Sequence, residues 1–101
     1  MKLYDYHINK RRSVEPLLKQ LLRSGTSIGA NIAEGQSTYT KKDFINKLGI
    51  SLKEARESEY WIKLLVETDH LDKKESVGIK NDCEELIKLL TAIIKSSKNN
   101  I

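Results

Sequence analysis

The chain has 101 residues, a formal net charge of +4 and one cysteine. That length suits one domain over residues 1–101, and a lone cysteine excludes an intrachain disulfide and favours a reducing compartment. No apolar run reaches the roughly 20 residues of a membrane span, and the N-terminus has no signal-peptide pattern. We therefore predict a cytoplasmic protein that does not contact a membrane.

Residues 2–9 are predicted to form a short first helix, and residues 10–12 are predicted to connect it to the second. Ser13 offers a helix cap, and Pro16 suits the first turn of the helix that follows it. Apolar residues then recur at helical spacing, which places the second helix at about residues 14–35.

Two further helices are predicted in the second half of the chain. Thr40 and Asp43 have the spacing of a capping box, and a nearly heptad apolar series follows them over about residues 41–69. A polar break precedes the last helix, which is placed at about residues 75–97. The predicted fold is all-α, an antiparallel up-and-down four-helix bundle with a short or truncated first helix.

The positive charge is concentrated at the N-terminal end. Residues 1–23 contain six basic and two acidic side chains, so this stretch alone accounts for the net charge of +4. A local basic cluster attracts phosphate groups, whereas the alternative is that the charge only keeps this end soluble. The candidate nucleic-acid contacts are Lys10, Arg11, Arg12, Lys19 and Arg23.

A polar stripe with coiled-coil spacing runs along the second predicted helix, and a similar stripe runs along the third. If the two helices fold back on each other, Arg23 lies opposite Glu54 and Glu57, and a guanidinium group suits carboxylates. We predict a partly buried polar network that fixes helix register or subunit pairing; the alternative is a wet face with loose ion pairs. Its candidate members are Gln20, Arg23, Ser27, Asn31, Glu34, Glu54 and Glu57.

Residues 25–29 match the G-x-S-x-G pattern of serine hydrolases, but a Leu-rich helix precedes them where that motif needs a strand. Small side chains instead predict a close helix contact at residues 24–33, either between subunits or inside one chain. The histidines, the cysteine and nearby acids lack metal-ligand spacing, and no phosphate-binding loop occurs. We predict no enzymatic activity, no metal and no cofactor.

The segments LLKQLLRSGTSIGANIAEGQ (residues 17–36) and KDFINKLGISLKEARESEYWIKLL (residues 42–65) resemble a known family. It comprises four-helix-bundle proteins encoded in intervening sequences of bacterial 23S ribosomal RNA genes. The resemblance implies a homo-oligomer, as some members form barrel-like pentamers, and it implies no enzymatic activity. The related accessory proteins of diversity-generating retroelements bind nucleic acid and a reverse transcriptase through a basic surface.

Three long amphipathic helices cannot all hide their apolar sides within one small chain, which favours association. The leading hypothesis is a non-enzymatic homo-oligomer that binds RNA or a nucleic-acid-binding protein through its basic end. The alternative is a structural or protein-interaction module that does not bind nucleic acid.

Overall fold

Three helices make up the part of the chain that can be described. The computed structural model describes the backbone of residues 2–99 and the side chains of residues 15–99. The helices are α1 (Lys2–Gln36), α2 (Lys41–Glu67) and α3 (Lys73–Asn99), and no strand occurs between residues 2 and 99. The all-α prediction is confirmed, but these residues form three helices instead of the predicted four.

The predicted break between a first helix at 2–9 and a second at 14–35 is wrong. The backbone of α1 is helical throughout, including the predicted connector at residues 10–12. Lysine and arginine are good helix formers, and neither glycine nor proline precedes Pro16. Pro16 itself lies inside α1, where it removes one backbone hydrogen bond, to the carbonyl of Arg12. A proline compatible with a first turn is therefore accommodated within a longer helix.

The connection between α1 and α2 is short and well capped. The amide groups of Ser37 and Thr38 donate to the carbonyls of Glu34 and Gly35 at 3.1 and 3.3 Å, which ends α1. Thr40 has an extended backbone, and its side chain accepts a hydrogen bond from the amide of Asp43 at 3.1 Å. This contact satisfies one of the free amide groups in the first turn of α2.

Removal of this cap should cost stability. We expect Thr40→Ala to lower the free energy of unfolding by about 1 kcal/mol, because an amide group in the first turn of α2 loses its partner. Urea denaturation followed by circular dichroism measures the effect. Thr91→Ala is the matched control: the Thr91 hydroxyl only donates back to the Ile87 carbonyl within α3, so its removal should be close to neutral. Equal losses from both variants would contradict the capping role.

The turn between α2 and α3 depends on two aspartates. Asp69 adopts a left-handed backbone with φ of 60°, a conformation that aspartate tolerates better than most residues. The His70 amide then donates to the Leu65 carbonyl at 2.9 Å. Asp72 caps α3, because its side chain accepts from the Lys74 amide at 3.0 Å.

Both outer helices run antiparallel to α2. Ser24 contacts Ser58, whereas Glu34, later in α1, contacts Lys47, earlier in α2. The buried core lies along α2 and draws on all three helices. Its members are Ile28, Leu48, Ala55 and Leu90, and partly buried residues from α1, α2 and α3 pack around them.

The helices form an elongated, flat layer with α2 in the middle. The Cα atoms span 64 × 22 × 13 Å, and within the described chain no Cα atom of α1 lies within 8 Å of one in α3. The register between α1 and α2 places Glu67 beside approximately residue 15 of α1. Residues 2–14, which we call the N-terminal arm, therefore continue α1 beyond the end of α2.

Candidate functional site

Arg23 of α1 joins two carboxylates of α2 on one side of the layer. Its guanidinium donates to Glu54 Oε2 at 3.3 Å and to Glu57 Oε1, and its Nε donates to Gln20 Oε1 at 3.1 Å. The Arg23 side chain is 49% exposed, whereas those of Glu54 and Glu57 are 14% and 29% exposed. The cluster therefore lies at the edge of the interface between α1 and α2, where water reaches the guanidinium.

Glu57 is the most constrained carboxylate of this cluster. The indole Nε1 of Trp61 also donates to Glu57 Oε1, at 3.3 Å. Desolvation opposes ionisation of Glu57, but hydrogen bonds from Trp61 and Arg23 and the positive charges of Arg23 and Lys53 together lower the pKa of its carboxyl group. The folded chain therefore favours ionised Glu57 more strongly than the unfolded chain does.

This lowered pKa predicts a contribution to acid stability. Ionised Glu57 stabilises the fold above its unfolded pKa of about 4.3, and this contribution is lost as the pH falls through the lower folded pKa. We expect Glu57→Gln to reduce the decline in melting temperature between about pH 6 and pH 3. Glu67→Gln, at the exposed end of α2, is the control. An acid decline that Glu57→Gln leaves unchanged would contradict this role.

The other predicted network residues form two separate groups. The amide of Asn31 donates to the Ser27 carbonyl at 2.8 Å and to Ser27 Oγ at 3.1 Å, all within α1. Glu34 accepts from Lys47 Nζ at 2.7 Å, which links α1 to α2 near the connecting loop. The seven predicted residues thus lie along one edge of the layer as three local clusters, and the hydrogen bonds described do not join them into one chain of contacts.

The candidate phosphate-binding residues all lie on α1. Positions 12, 19 and 23 are separated by seven and four residues, so they fall on one face of this helix, whereas positions 10 and 11 fall elsewhere around it. Lys19 is exposed, and Arg23 is held by its two glutamates. The side chains of Lys10, Arg11 and Arg12 lie outside the residues whose side chains are described.

Small polar residues are buried between α1 and α2. Ser24 and Ser58 are buried with their hydroxyl oxygens 2.7 Å apart, and buried Ser51 donates to the Ile28 carbonyl at 3.0 Å. Each hydroxyl has a partner, so it can be buried without the cost of an unsatisfied polar group. One end of the predicted small-residue strip thus serves a contact inside the chain.

The glycines of the same strip lie in a different environment. Gly25 and Gly29 are exposed, and a Cβ atom built on either would have no neighbour within 4 Å. The intervening Ser27, the serine of the G-x-S-x-G pattern, lies inside continuous α1, so this segment is not a strand-to-helix turn. Within the strip, Ser24 and Ile28 therefore contact α2, whereas Gly25 and Gly29 face open space.

An apolar groove runs between α1 and α3 on the side of the layer that exposes these glycines. It has a volume of about 680 Å³, and Ser58 and Ile62 of α2 form part of its base. The walls are largely apolar and include Leu21, Leu22, Gly25, Ile79 and Leu86. Leu22 is 72% exposed, which is unusual for a leucine beside other apolar side chains.

A sequence comparison identifies the family. Residues 3–92 match the sequence profile of the 23S rRNA-intervening sequence protein family. The chain belongs to this family. A solved structure from Bacteroides thetaiotaomicron, a protein of unknown function from the S23 ribosomal protein family, is 48% identical to it with a TM-score of 0.79. That match covers 93% of this chain and 86% of the Bacteroides protein.

The intervening-sequence family membership and the similarity to the Bacteroides structure agree with the helical fold described above. No curated protein shows significant similarity to the chain. Among the helices described, none has both the length and the apolar character needed to cross a membrane.

In this intervening-sequence protein, Cys83 lies beside the base of the groove. The thiol is buried, and Sγ donates to the Ala55 carbonyl at 3.2 Å, which holds α3 close to α2. Burial is the main reason that its pKa is raised, and the carboxylates of Glu59 and Glu84 raise it further. The thiol therefore stays protonated at neutral pH and serves as a small packing group.

Sequence reasoning missed three features of this site. Trp61 was not assigned to the polar network, although an indole four residues after Glu57 can reach its carboxylate on a helix. The burial of Ser51 and Ser58 between α1 and α2 was not predicted. The groove was not located, because its position depends on which side of α2 receives α3. The sequence contains one indication of the groove: positions 51, 55, 58 and 62 lie on one face of α2, and all have small or apolar side chains.

Proposed function

We propose that the chain is a non-enzymatic assembly module that forms homo-oligomers through the open side of its helical layer. The observation that supports this proposal is the apolar groove between α1 and α3, with Leu22 72% exposed at its wall. Water would contact this surface in an isolated copy, and association removes apolar area from water.

The exposed apolar surface extends along both walls beyond the groove itself. Leu18 lies one turn before Leu22 on α1, and Leu89 lies three residues after Leu86 on α3; their exposures are 48% and 57%. Burial of one such side chain contributes about 1.5–3 kcal/mol, so several together can stabilise a complex. The family resemblance suggests a pentamer as the assembly.

Light scattering coupled to size-exclusion chromatography tests the proposal. One chain has a mass of 11.6 kDa. We expect the mass of two or more chains, and we expect it to persist when the protein is diluted into the micromolar range. A stable monomer over the whole concentration series would overturn it.

Nucleic-acid binding is the second candidate, and a different observation favours it. The net charge of the chain lies entirely within residues 1–23, and α1 carries this charge along one helix. The Arg23 guanidinium is already paired with Glu54 and Glu57, so we assign the main phosphate contacts to the other four candidate residues of α1. They are Lys10, Arg11, Arg12 and Lys19.

Filter binding to structured RNA and to single-stranded DNA tests this second function. If phosphates are neutralised, the affinity must fall as salt is raised, because bound counterions are released. Arg11→Ala combined with Arg12→Ala should weaken binding and reduce the salt dependence. Lys95→Ala combined with Lys98→Ala, at the far end of α3, is the charge-matched control. If neither structured RNA nor single-stranded DNA binds at low salt, the second candidate function is overturned and assembly remains the proposed function.

A further inference from the structure

A second, smaller pocket lies beside the turn between α2 and α3, and its lining combines apolar side chains with lysines. It has a volume of about 400 Å³ and is formed by the last turns of α2 and the first turns of α3. We propose that this pocket, which we call the lysine pocket, binds a soluble phosphate monoester that carries one short apolar group. The proposal does not depend on self-association.

The apolar part of the lysine pocket comes from both helices. Ile62 is only 3% exposed, Val66 is partly buried, and Val77 is 53% exposed. Ser76 also lines the pocket, but its hydroxyl already donates to the Lys73 carbonyl at 2.8 Å. Because this hydroxyl is already in use as a donor, an alkyl or aryl group suits the pocket better than a sugar.

The charged part of the lining has a net charge of +2, from three lysines and one glutamate. Among residues 15–99, no carboxylate lies within ion-pair distance of any of these three lysines. Lysine binds phosphate as a point charge, and a phosphate monoester carries about −1.5 to −2 at pH 7, so the two charges match. The four charged residues are Lys63, Lys73, Lys80 and Glu67.

The two lysines of α3 lie on one side of that helix. Lys73 and Lys80 are seven residues apart, so they share a face and are separated by about 10 Å along the helix axis. Val77 lies between them on the same flank. A compact ligand can therefore contact apolar side chains with its body while its phosphate group meets a lysine ammonium.

The lysine pocket and the groove lie on opposite flanks of α3. Positions 73, 77 and 80 line the pocket, whereas positions 79, 82 and 86 line the groove. At 100° per residue, the two sets point in nearly opposite directions from the helix axis. An interface that buries the groove flank of α3 therefore does not bury the flank that lines the pocket, and ligand binding can be measured in the assembled protein.

Titration of the full chain with three probes, followed by NMR of the backbone amides, tests the proposal. Octyl phosphate, used below its micelle concentration, has both chemical features; inorganic phosphate lacks the apolar group, and octanol lacks the charge. We expect octyl phosphate to bind at least about tenfold more tightly than either other probe, because only it uses both parts of the lining. We expect the shifted amide signals to concentrate within residues 62–80.

Lys73→Gln combined with Lys80→Gln removes two cations from the lysine pocket. This pair should weaken octyl phosphate binding at least about tenfold and leave octanol binding unchanged. The matched control is Lys74→Gln combined with Lys88→Gln, which removes the same charge from exposed positions of α3 outside the pocket. Equal weakening by both pairs would show that only the overall charge attracts the phosphate, and it would overturn the proposed site.

Two other results would also overturn the proposal. One is equal affinity for octyl phosphate and octanol, because the lysines would then contribute nothing. The other is a set of amide shifts confined to the groove, around Leu22 and Leu86, because the probe would then occupy that surface instead.

Vesicles of phosphatidylcholine with phosphatidic acid present a phosphate monoester at a membrane surface. Sedimentation with these vesicles that is lost with Lys73→Gln and Lys80→Gln, but not with the control pair, would assign the pocket to a lipid headgroup and overturn the soluble ligand. Light scattering with and without octyl phosphate reports assembly separately. A monomer that binds the probe in the pocket would overturn only the assembly proposal, and an oligomer that does not bind it would overturn only this inference.

Discussion

Ala55→Leu should destabilise the fold more than any other single change considered for this chain. Ala55 has no exposed surface, and it lies at the centre of α2 among core residues of α1 and α3. Three additional carbon atoms have no space there, so one of the outer helices must move away from α2. Overpacking of this kind costs about 1–3 kcal/mol and occasionally more.

Displacement of α3 would add to that cost. The Ala55 carbonyl accepts from Cys83 Sγ at 3.2 Å, so movement of α3 also breaks this contact. We expect a total loss of about 3 kcal/mol, and a domain of this size loses roughly 4–8 °C of melting temperature for each kcal/mol. Thermal unfolding followed by circular dichroism measures the change.

Arg56→Leu is the matched control, because it introduces the same side chain at the next position of α2, where the residue is exposed. Its effect should stay within about 0.5 kcal/mol. An unchanged melting temperature for Ala55→Leu would contradict this prediction. It would show that tight packing at Ala55 does not determine the positions of α1 and α3.

The helices differ in how well their bounds follow from the sequence. α2 was predicted at 41–69 and occupies Lys41–Glu67, because an amphipathic repeat and the Thr40 cap specify its start. Its end depends on the left-handed backbone of Asp69. A glycine would have indicated such a turn in the sequence, but this position is an aspartate. At Pro16, by contrast, the prediction assumed a helix start, whereas the long run of helix formers before it continues the helix through the proline.

The candidate site was predictable where local geometry determines it. Antiparallel folding through a short loop is enough to place Arg23 opposite Glu54 and Glu57, and the structure has those contacts. Burial of Ser51 and Ser58 was not predictable from polarity, because a serine hydroxyl can be satisfied by a carbonyl or by another hydroxyl. Prediction of the groove requires knowledge of how the three helices pack. The composition or periodicity of a single helix does not provide that knowledge.

Leu22→Asp should separate assembly from folding. Leu22 is 72% exposed in the isolated chain, so a carboxylate at this position remains hydrated and should change the melting temperature of a single copy little. In an oligomer that covers the groove, the same carboxylate would be transferred from water to apolar surroundings. The cost of burying an unpaired charge is several kcal/mol, and each 1.4 kcal/mol weakens binding tenfold.

We therefore expect the dissociation constant of the assembly to rise at least ~100-fold with Leu22→Asp. Sedimentation velocity over a dilution series measures this change, and circular dichroism verifies that the helices persist. Ile50→Asp is the control: Ile50 is 42% exposed on α2, it does not line the groove, and the same charge is introduced there. If Ile50→Asp dissociated the assembly while Leu22→Asp did not, the subunits would meet on the side of the layer that contains the Arg23 cluster, and the groove would not be the interface.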